Sequence, residues 1–173
     1  MSYKEHLKDI KAFVFDVDGV FTDGSVYLMP DGAQCRVMNV LDGYAVVKAL
    51  KYNYIIGVIT GGDDPMVRNR LNYLGIKDYY AKSGDKMKDY LDFKTRHNLQ
   101  DDEVLMMGDD LPDMDLINVA KIGACPINAV PEVKAISDYI SPIEGGKGAV
   151  RDVIEQVMKV QGVWLTKDDT RSA

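Results

Sequence analysis

Ala12-Phe13-Val14-Phe15-Asp16-Val17-Asp18-Gly19 decides the reading of this chain. Four apolar residues form a short buried-strand pattern, and the run breaks at once into an acidic turn ending in glycine. The same grammar recurs downstream. Ile55–Ile59 runs into Thr60-Gly61-Gly62, and Val104–Met107 runs into Gly108-Asp109-Asp110. Shorter strand patterns lie at 79–81 and 122–124. Helical patterns separate them at 42–52, 65–74, 86–97, 112–119 and 148–160. Asp64 before Pro65 reads as an N-cap with a first-turn proline, and Gly75 as the stop. In the last helix Val150, Val153, Ile154, Val157 and Val160 share one face. Strand–helix alternation of this kind predicts an α/β fold, a doubly wound and mostly parallel sheet. One stretch breaks the rhythm. Residues 25–29 and 34–38 are strand-like around Pro30-Asp31-Gly32, which predicts a projecting β-hairpin within about 21–40. A single domain over 1–173 is expected, with a loose polar tail at about 165–173.

Composition narrows the classes. Of 173 residues, 46% are hydrophobic and 28% charged, enough for a core and a hydrated surface, so disorder is not expected. A net charge of −6 disfavours nucleic acid and anionic membrane as partners. Cys35 and Cys125 form no CxxC pair, so neither a disulfide framework nor a zinc site is indicated. His6 and His97 read as surface residues. The N-terminal stretch is polar, and no run approaches the ~20 apolar residues of a membrane helix. A cytoplasmic protein is expected.

In open α/β sheets ligands bind beyond the carboxyl ends of the strands. The residues leaving successive strands are Asp16 and Asp18, then Thr60, Gly61 and Gly62, then Lys86 at a helix start, then Asp109 and Asp110 with Asp113 following. Taken singly each is an ordinary turn, strand end or helix cap. Together they put carboxylates, a hydroxyl and an ammonium on one rim, which suits attack on a phosphate monoester. A carboxylate approaching such a group meets like charge, at about 4 kcal/mol per unit pair at ~4 Å and a dielectric near ~20. A hard cation among acidic oxygens removes most of that barrier, and Mg²⁺ suits an all-oxygen site. Asp16 and Asp109 are the expected side-chain ligands, with the Asp18 backbone carbonyl as a third. Lys86, the Thr60 hydroxyl and the N–H groups after it, at Gly61 and Gly62, are expected to hold the phosphoryl oxygens.

In this order and spacing the four motifs, Phe15-Asp16-Val17-Asp18-Gly19-Val20, Ile59-Thr60-Gly61, Lys86 and Gly108-Asp109-Asp110-Leu111-Pro112-Asp113, resemble those of the haloacid dehalogenase superfamily. The resemblance implies an aspartyl-phosphate on Asp16, with Asp18 as general acid and then base. It implies that Asp113 orients the metal shell and that Asp110 binds directly or through water. The hairpin, Leu41-Asp42-Gly43 and the segment from Gly145 through Lys147 to Arg151 extend the likeness to 3-deoxy-D-manno-octulosonate 8-phosphate phosphatases over nearly the whole chain. Those are tetrameric enzymes of lipopolysaccharide synthesis acting on a sugar acid phosphate. The likeness implies that Arg70 meets the sugar carboxylate, that Lys147 serves the substrate, and that the glycine-rich segment helps close a neighbouring subunit's site. Taken by itself, that segment is a mobile loop and not a P-loop. Too few residues separate the motifs for a cap domain, so closure by a neighbour is expected. One departure stands out: Gly62 occupies a position that is basic in many octulosonate enzymes, which leaves nine-carbon keto-acid phosphates open as substrates. Two further classes compete, a phospho-accepting receiver domain and a catalytically silent assembly module. A receiver normally carries its adjacent acids on the first strand and the phosphorylated Asp on the third, and this chain does not.

Overall fold

Six parallel strands make up the sheet of the computed structural model, which describes residues 3–166. They are β1 (Ala12–Phe15), β4 (Ile55–Ile59), β5 (Asp78–Tyr80), β6 (Val104–Met107), β7 (Ile122–Cys125) and β8 (Tyr139–Ile140). The remaining two, β2 (Tyr27–Leu28) and β3 (Gln34–Cys35), form the antiparallel hairpin. Spatial order is β5-β4-β1-β6-β7-β8. The chain therefore winds outward from β1 on one side, returns, and continues from β6 on the other. β1 lies between β4 and β6, with Phe15 opposite Val58 and Met107. The reversal beside β1 opens a crevice at the carboxyl ends of β1 and β6, where such folds bind ligands.

Helices cover both faces. α1 (Val40–Lys51), α2 (Pro65–Tyr73) and α6 (Ala149–Val160) pack on the face bearing Phe13, Phe15, Val58 and Met107. α3 (Lys86–His97), α4 (Met114–Val119) and α5 (Pro131–Ile136) pack on the face bearing Ala12, Val14 and Met106. This double burial explains why the central strands are apolar throughout. Gly57 of β4 is set by the same packing, since a Cβ there would stand 2.8 Å from the Phe93 ring of α3.

The helix starts follow local chemistry. Asp64 accepts a hydrogen bond from Met66 N at 2.8 Å, with Pro65 in the first turn. Asp85 accepts from Lys88 N at 3.1 Å, and Asn39 from Leu41 N at 2.9 Å. On α6, Val150, Val153, Ile154 and Val157 are buried as the spacing predicts, whereas Val160, the last residue of the helix, is half exposed. The 112–119 pattern resolves into a 3₁₀ turn at Leu111–Asp113 followed by α4. Among the described residues no helix is long and apolar enough to cross a membrane. The expected polar tail falls mostly at 167–173, outside the described residues. His97 differs from expectation: its Nε2 lies 2.8 Å from the buried Asp78 carboxylate, at the opposite end of the sheet from the crevice.

Candidate active site

Asp16 is the first residue past β1, its N–H donating to Met107 O at 3.1 Å. That ladder bond leaves the side chain at the mouth of the crevice, 8% exposed. After it the chain turns sharply through Asp18 and Gly19, whose φ of +86° is natural only to glycine. The missing side chain at Gly19 matters a second time. A Cβ there would stand 2.0 Å from Asp109 Oδ2, so the loops after β1 and β6 close on each other only because residue 19 is glycine.

Lys86, at the start of α3, sends its ammonium beneath the rim, 3.2 Å from Asp16 Oδ1 and 2.7 Å from Asp113 Oδ1. Asp113 is fully buried, and its other oxygen accepts from Asp109 N at 3.1 Å and Asp110 N at 3.4 Å. One carboxylate thus fixes both the Lys86 ammonium and the backbone after β6. Thr60 is tied by its N–H to Tyr80 O and by its carbonyl to Ser83 N, and its hydroxyl accepts from Gly62 N at 3.3 Å. Asp16, Asp18, Thr60, Gly61, Gly62, Lys86, Asp109, Asp110 and Asp113 line one cavity of about 410 Å³. A separate hollow of about 370 Å³, around His97 and Gln161 at the opposite end of the sheet, has no comparable acidic cluster.

The electrostatics point to a cation. Asp16, Asp109 and Asp113 each offer an oxygen within 4.8 Å of the others. Among the described residues Asp16 Oδ1 and Asp109 Oδ1 are buried without a hydrogen-bond partner, the Lys86 ammonium being an ion-pair neighbour of the former rather than a well-directed donor. Burial, followed by the Asp113 charge, pushes Asp16 up to about 6 against the pull of Lys86. Burial and the charges of Asp16, Asp113 and Asp110 push Asp109 up to about 7. For Lys86, burial acts to lower the pKa, but Asp16 and Asp113 outweigh it and the net shift is upward. Unpartnered buried oxygens raised by mutual repulsion are what a divalent ion relieves. The side chains that converge are Asp16, Asp109 and Asp113. The Asp18 carboxylate instead faces Arg36, and the exposed Asp110 carboxylate caps the turn by accepting from Leu111 N at 2.8 Å.

Two expected substrate residues lie outside this cavity. Arg70 lines an adjoining hollow with Arg36, Met38, Asp64, Met66 and Val67, and its guanidinium lies beside Gly43 of α1. The Lys147 ammonium is 4.0 Å from Asp23 and largely exposed. Nor is the glycine-rich segment a free loop. Gly145 N donates to Asn128 Oδ1 at 2.7 Å, Gly146 N to Val20 O at 2.9 Å, and Asn39 Nδ2 to Gly146 O at 3.3 Å. A Cβ on Gly145 would stand 1.8 Å from Gly19 O. The segment is a brace behind the Asp16 loop. Asp42 is a second brace, buried in α1 and accepting from Arg151 N at 2.8 Å, with burial pushing it up to about 6. Sequence reading gave no role to Arg36 or Asn128. A lone basic residue in the hairpin was the only available signal for Arg36, and Asn128 offered none.

Comparison with known proteins agrees with this geometry. The family model of haloacid dehalogenase-like hydrolases matches residues 63–154. The 3-deoxy-D-manno-octulosonate 8-phosphate phosphatase of Salmonella typhi is 32% identical over 155 residues, 90% of this chain and 82% of the relative. The Moraxella catarrhalis phosphatase of that name, solved in complex with magnesium ion, phosphate ion and a KDO molecule, aligns at a TM-score of 0.91 and 31% identity, covering 94% of this chain and 93% of that one. The cobalt-bound deoxy-D-mannose-octulosonate 8-phosphate phosphatase of Haemophilus influenzae aligns at 0.88 and 27% identity, covering 92% and 93%. The receiver and silent-module readings fall away. Because the family model matches more than half of the chain and a phosphatase 32% identical to it covers 90% of its length, the chain belongs to the haloacid dehalogenase-like hydrolases and is a phosphatase.

Proposed function

We propose that this phosphatase hydrolyses the phosphate monoester of a 2-keto-3-deoxy sugar acid, 3-deoxy-D-manno-octulosonate 8-phosphate being the best match, through an aspartyl-phosphate on Asp16. The observation that carries the reading is the meeting of Asp16 with Lys86 at 3.2 Å in a cavity also lined by Asp18, Thr60 and Asp109. An Asp16 oxygen attacks phosphorus, and the bond from phosphorus to the sugar oxygen breaks. Asp18 gives the departing oxygen a proton. It then takes one from the water that splits the acyl phosphate, restoring the Asp16 carboxylate. Lys86, the Thr60 hydroxyl and the Gly61 and Gly62 N–H groups hold phosphoryl oxygens. Asp16 and Asp109 would hold Mg²⁺, with the Asp18 carbonyl as a further ligand and Asp113 as the orienting carboxylate. The ion supplies neutralisation of charge on the attacking and phosphoryl oxygens.

Support for the substrate comes from the relatives' names and from the Moraxella complex. Gly62 is the observation that keeps nine-carbon acids in view. A phosphate-release screen over eight- and nine-carbon keto-acid phosphates, with p-nitrophenyl phosphate for reference, is expected to show the octulosonate ester highest in kcat/KM. A nine-carbon ester ranking above it would reassign the substrate without touching the chemistry. We further read residues 1–173 as one cytoplasmic domain that assembles as a homotetramer, neighbouring subunits covering the capless site. Exposed Tyr27 and Leu28 on the hairpin and Val40 and Tyr44 on α1 support that closure.

Metal affinity should depend on pH with a defined sign. The ion needs both carboxylates ionised, and in the free protein protons occupy them below about 6 at Asp16 and about 7 at Asp109. Mg²⁺ binding, followed by calorimetry, is therefore expected to strengthen about 10²-fold from about pH 5.5 to about pH 8. A flat profile would show that these groups are ionised throughout.

A further inference from the structure

The hairpin segment 25–38 has two charged residues, Asp31 and Arg36. Asp31 is exposed and accepts from Ala33 N within the turn, whereas Arg36 points inward. Its Nε donates to Asp18 Oδ1 at 2.7 Å and its Nη2 to Asp18 Oδ2 at 3.3 Å, while Nη1 donates to Asp64 Oδ2 at 2.9 Å. The side chain is only 12% exposed. A planar guanidinium seated on both oxygens of a carboxylate is a specific, directional pair. While it stands, neither Asp18 oxygen is available to an ester oxygen over Asp16. This argument rests on the role proposed above for Asp18.

Something must take the guanidinium over when substrate binds. The phosphoryl group is a poor candidate, because Arg36 does not line the cavity around Asp16, Thr60, Lys86 and Asp109. Arg36 lines an adjoining hollow of about 280 Å³ together with Met38, Asp64, Met66, Val67 and Arg70. Apolar walls with two arginines, against a single Asp64 carboxylate that Arg36 Nη1 already holds, fit a short carbon skeleton ending in an anion. We propose that Arg36 is a specificity-determining latch: a carboxylate at the remote end of the substrate draws its guanidinium off Asp18, and only then does Asp18 turn to the ester. Esters without that carboxylate reach Asp16 but leave Asp18 held. Selectivity then arises from the positioning of an acid–base group as well as from affinity.

The experiment compares wild type with Arg36→Gln on three probes. These are 3-deoxy-D-manno-octulosonate 8-phosphate, the carboxylate-free arabinose 5-phosphate, and p-nitrophenyl phosphate, whose leaving group departs without help. In Arg36→Gln, kcat on arabinose 5-phosphate is expected to rise about three- to tenfold, since the held fraction is released. On the octulosonate ester kcat/KM should fall about 10- to 100-fold, mostly through KM, as a charged hydrogen bond is lost. The burst of p-nitrophenol, which reports phosphorylation of Asp16 before Asp18 is needed as a base, should be unchanged within about threefold. Arg36→Lys keeps the charge without the fork and should fall between; it answers the question if the Gln variant is unstable. Equal losses on both sugar phosphates, or no change on either, would overturn the latch. A wild type inactive on all three probes would instead bring down the proposed function, and the latch with it.

Discussion

Asp16→Asn is expected to release phosphate at least about 10⁴-fold more slowly than wild type, in line with removal of an enzyme's nucleophile. The amide keeps the shape but cannot attack phosphorus, and the flanking groups are organised around the carboxylate: Lys86 at 3.2 Å and the unpartnered Oδ1. Stability should move the other way. Folding raises Asp16 from its ordinary carboxylate range to about 6, chiefly through burial, so its favourable contribution is present below about pH 4 and is lost as pH rises through about 6. At pH 8 without metal the ionised carboxylate is a net cost of order 1–3 kcal/mol, and the Asn variant should unfold at a higher temperature than wild type. Phosphate release and calorimetric unfolding, measured on the same preparation, check the pair. An Asn variant that turned over at wild-type rate would exclude Asp16 as nucleophile.

The second large effect is expected from a backbone contact. Gly145→Ala places a methyl 1.8 Å from the Gly19 carbonyl and 2.8 Å from that of Thr22, and both obstacles are backbone. Something must move, and the Asp16–Gly19 turn is already pressed against Asp109. A displacement near 1 Å at that turn is enough to lower kcat about 10²-fold. Overpacking should also cost about 1–3 kcal/mol of stability. Steady-state kinetics with a thermal melt check both. Near-normal kcat in this variant would show that the brace is not what holds the turn.

β1, β4, β6 and α3 could be read from the sequence residue for residue, because their signals are local. A strand buried on both faces must be apolar along its length, and Asp85 before Lys86 supplies a helix start. The carboxyl-end rule then brought Asp16, Thr60, Lys86, Asp109 and Asp113 to one place without any knowledge of contacts. Elements too short for periodicity escaped: α5 has six residues and β8 two. Short-range signals also said nothing about pairings across the chain. Arg36 meets Asp18 across 18 residues, and Asn128 bridges Gly19 and Gly145. The reading of Gly145 to Gly148 as mobile failed for this reason. Glycine there serves close approach of two backbones, which composition cannot distinguish from freedom. Arg70 and Lys147 rested on likeness alone, and neither side chain lines the cavity around Asp16.

The sheet ends on β5, of three residues, and β8, of two, and the hairpin strands have two each. Borders this brief offer almost no row of open amide groups for another chain to extend. Tyr27 and Leu28 meanwhile stand outward at 59% and 79% exposure. Fusion into fibrils by strand addition is thereby discouraged, while burial of side chains against side chains stays open as the route to a closed assembly.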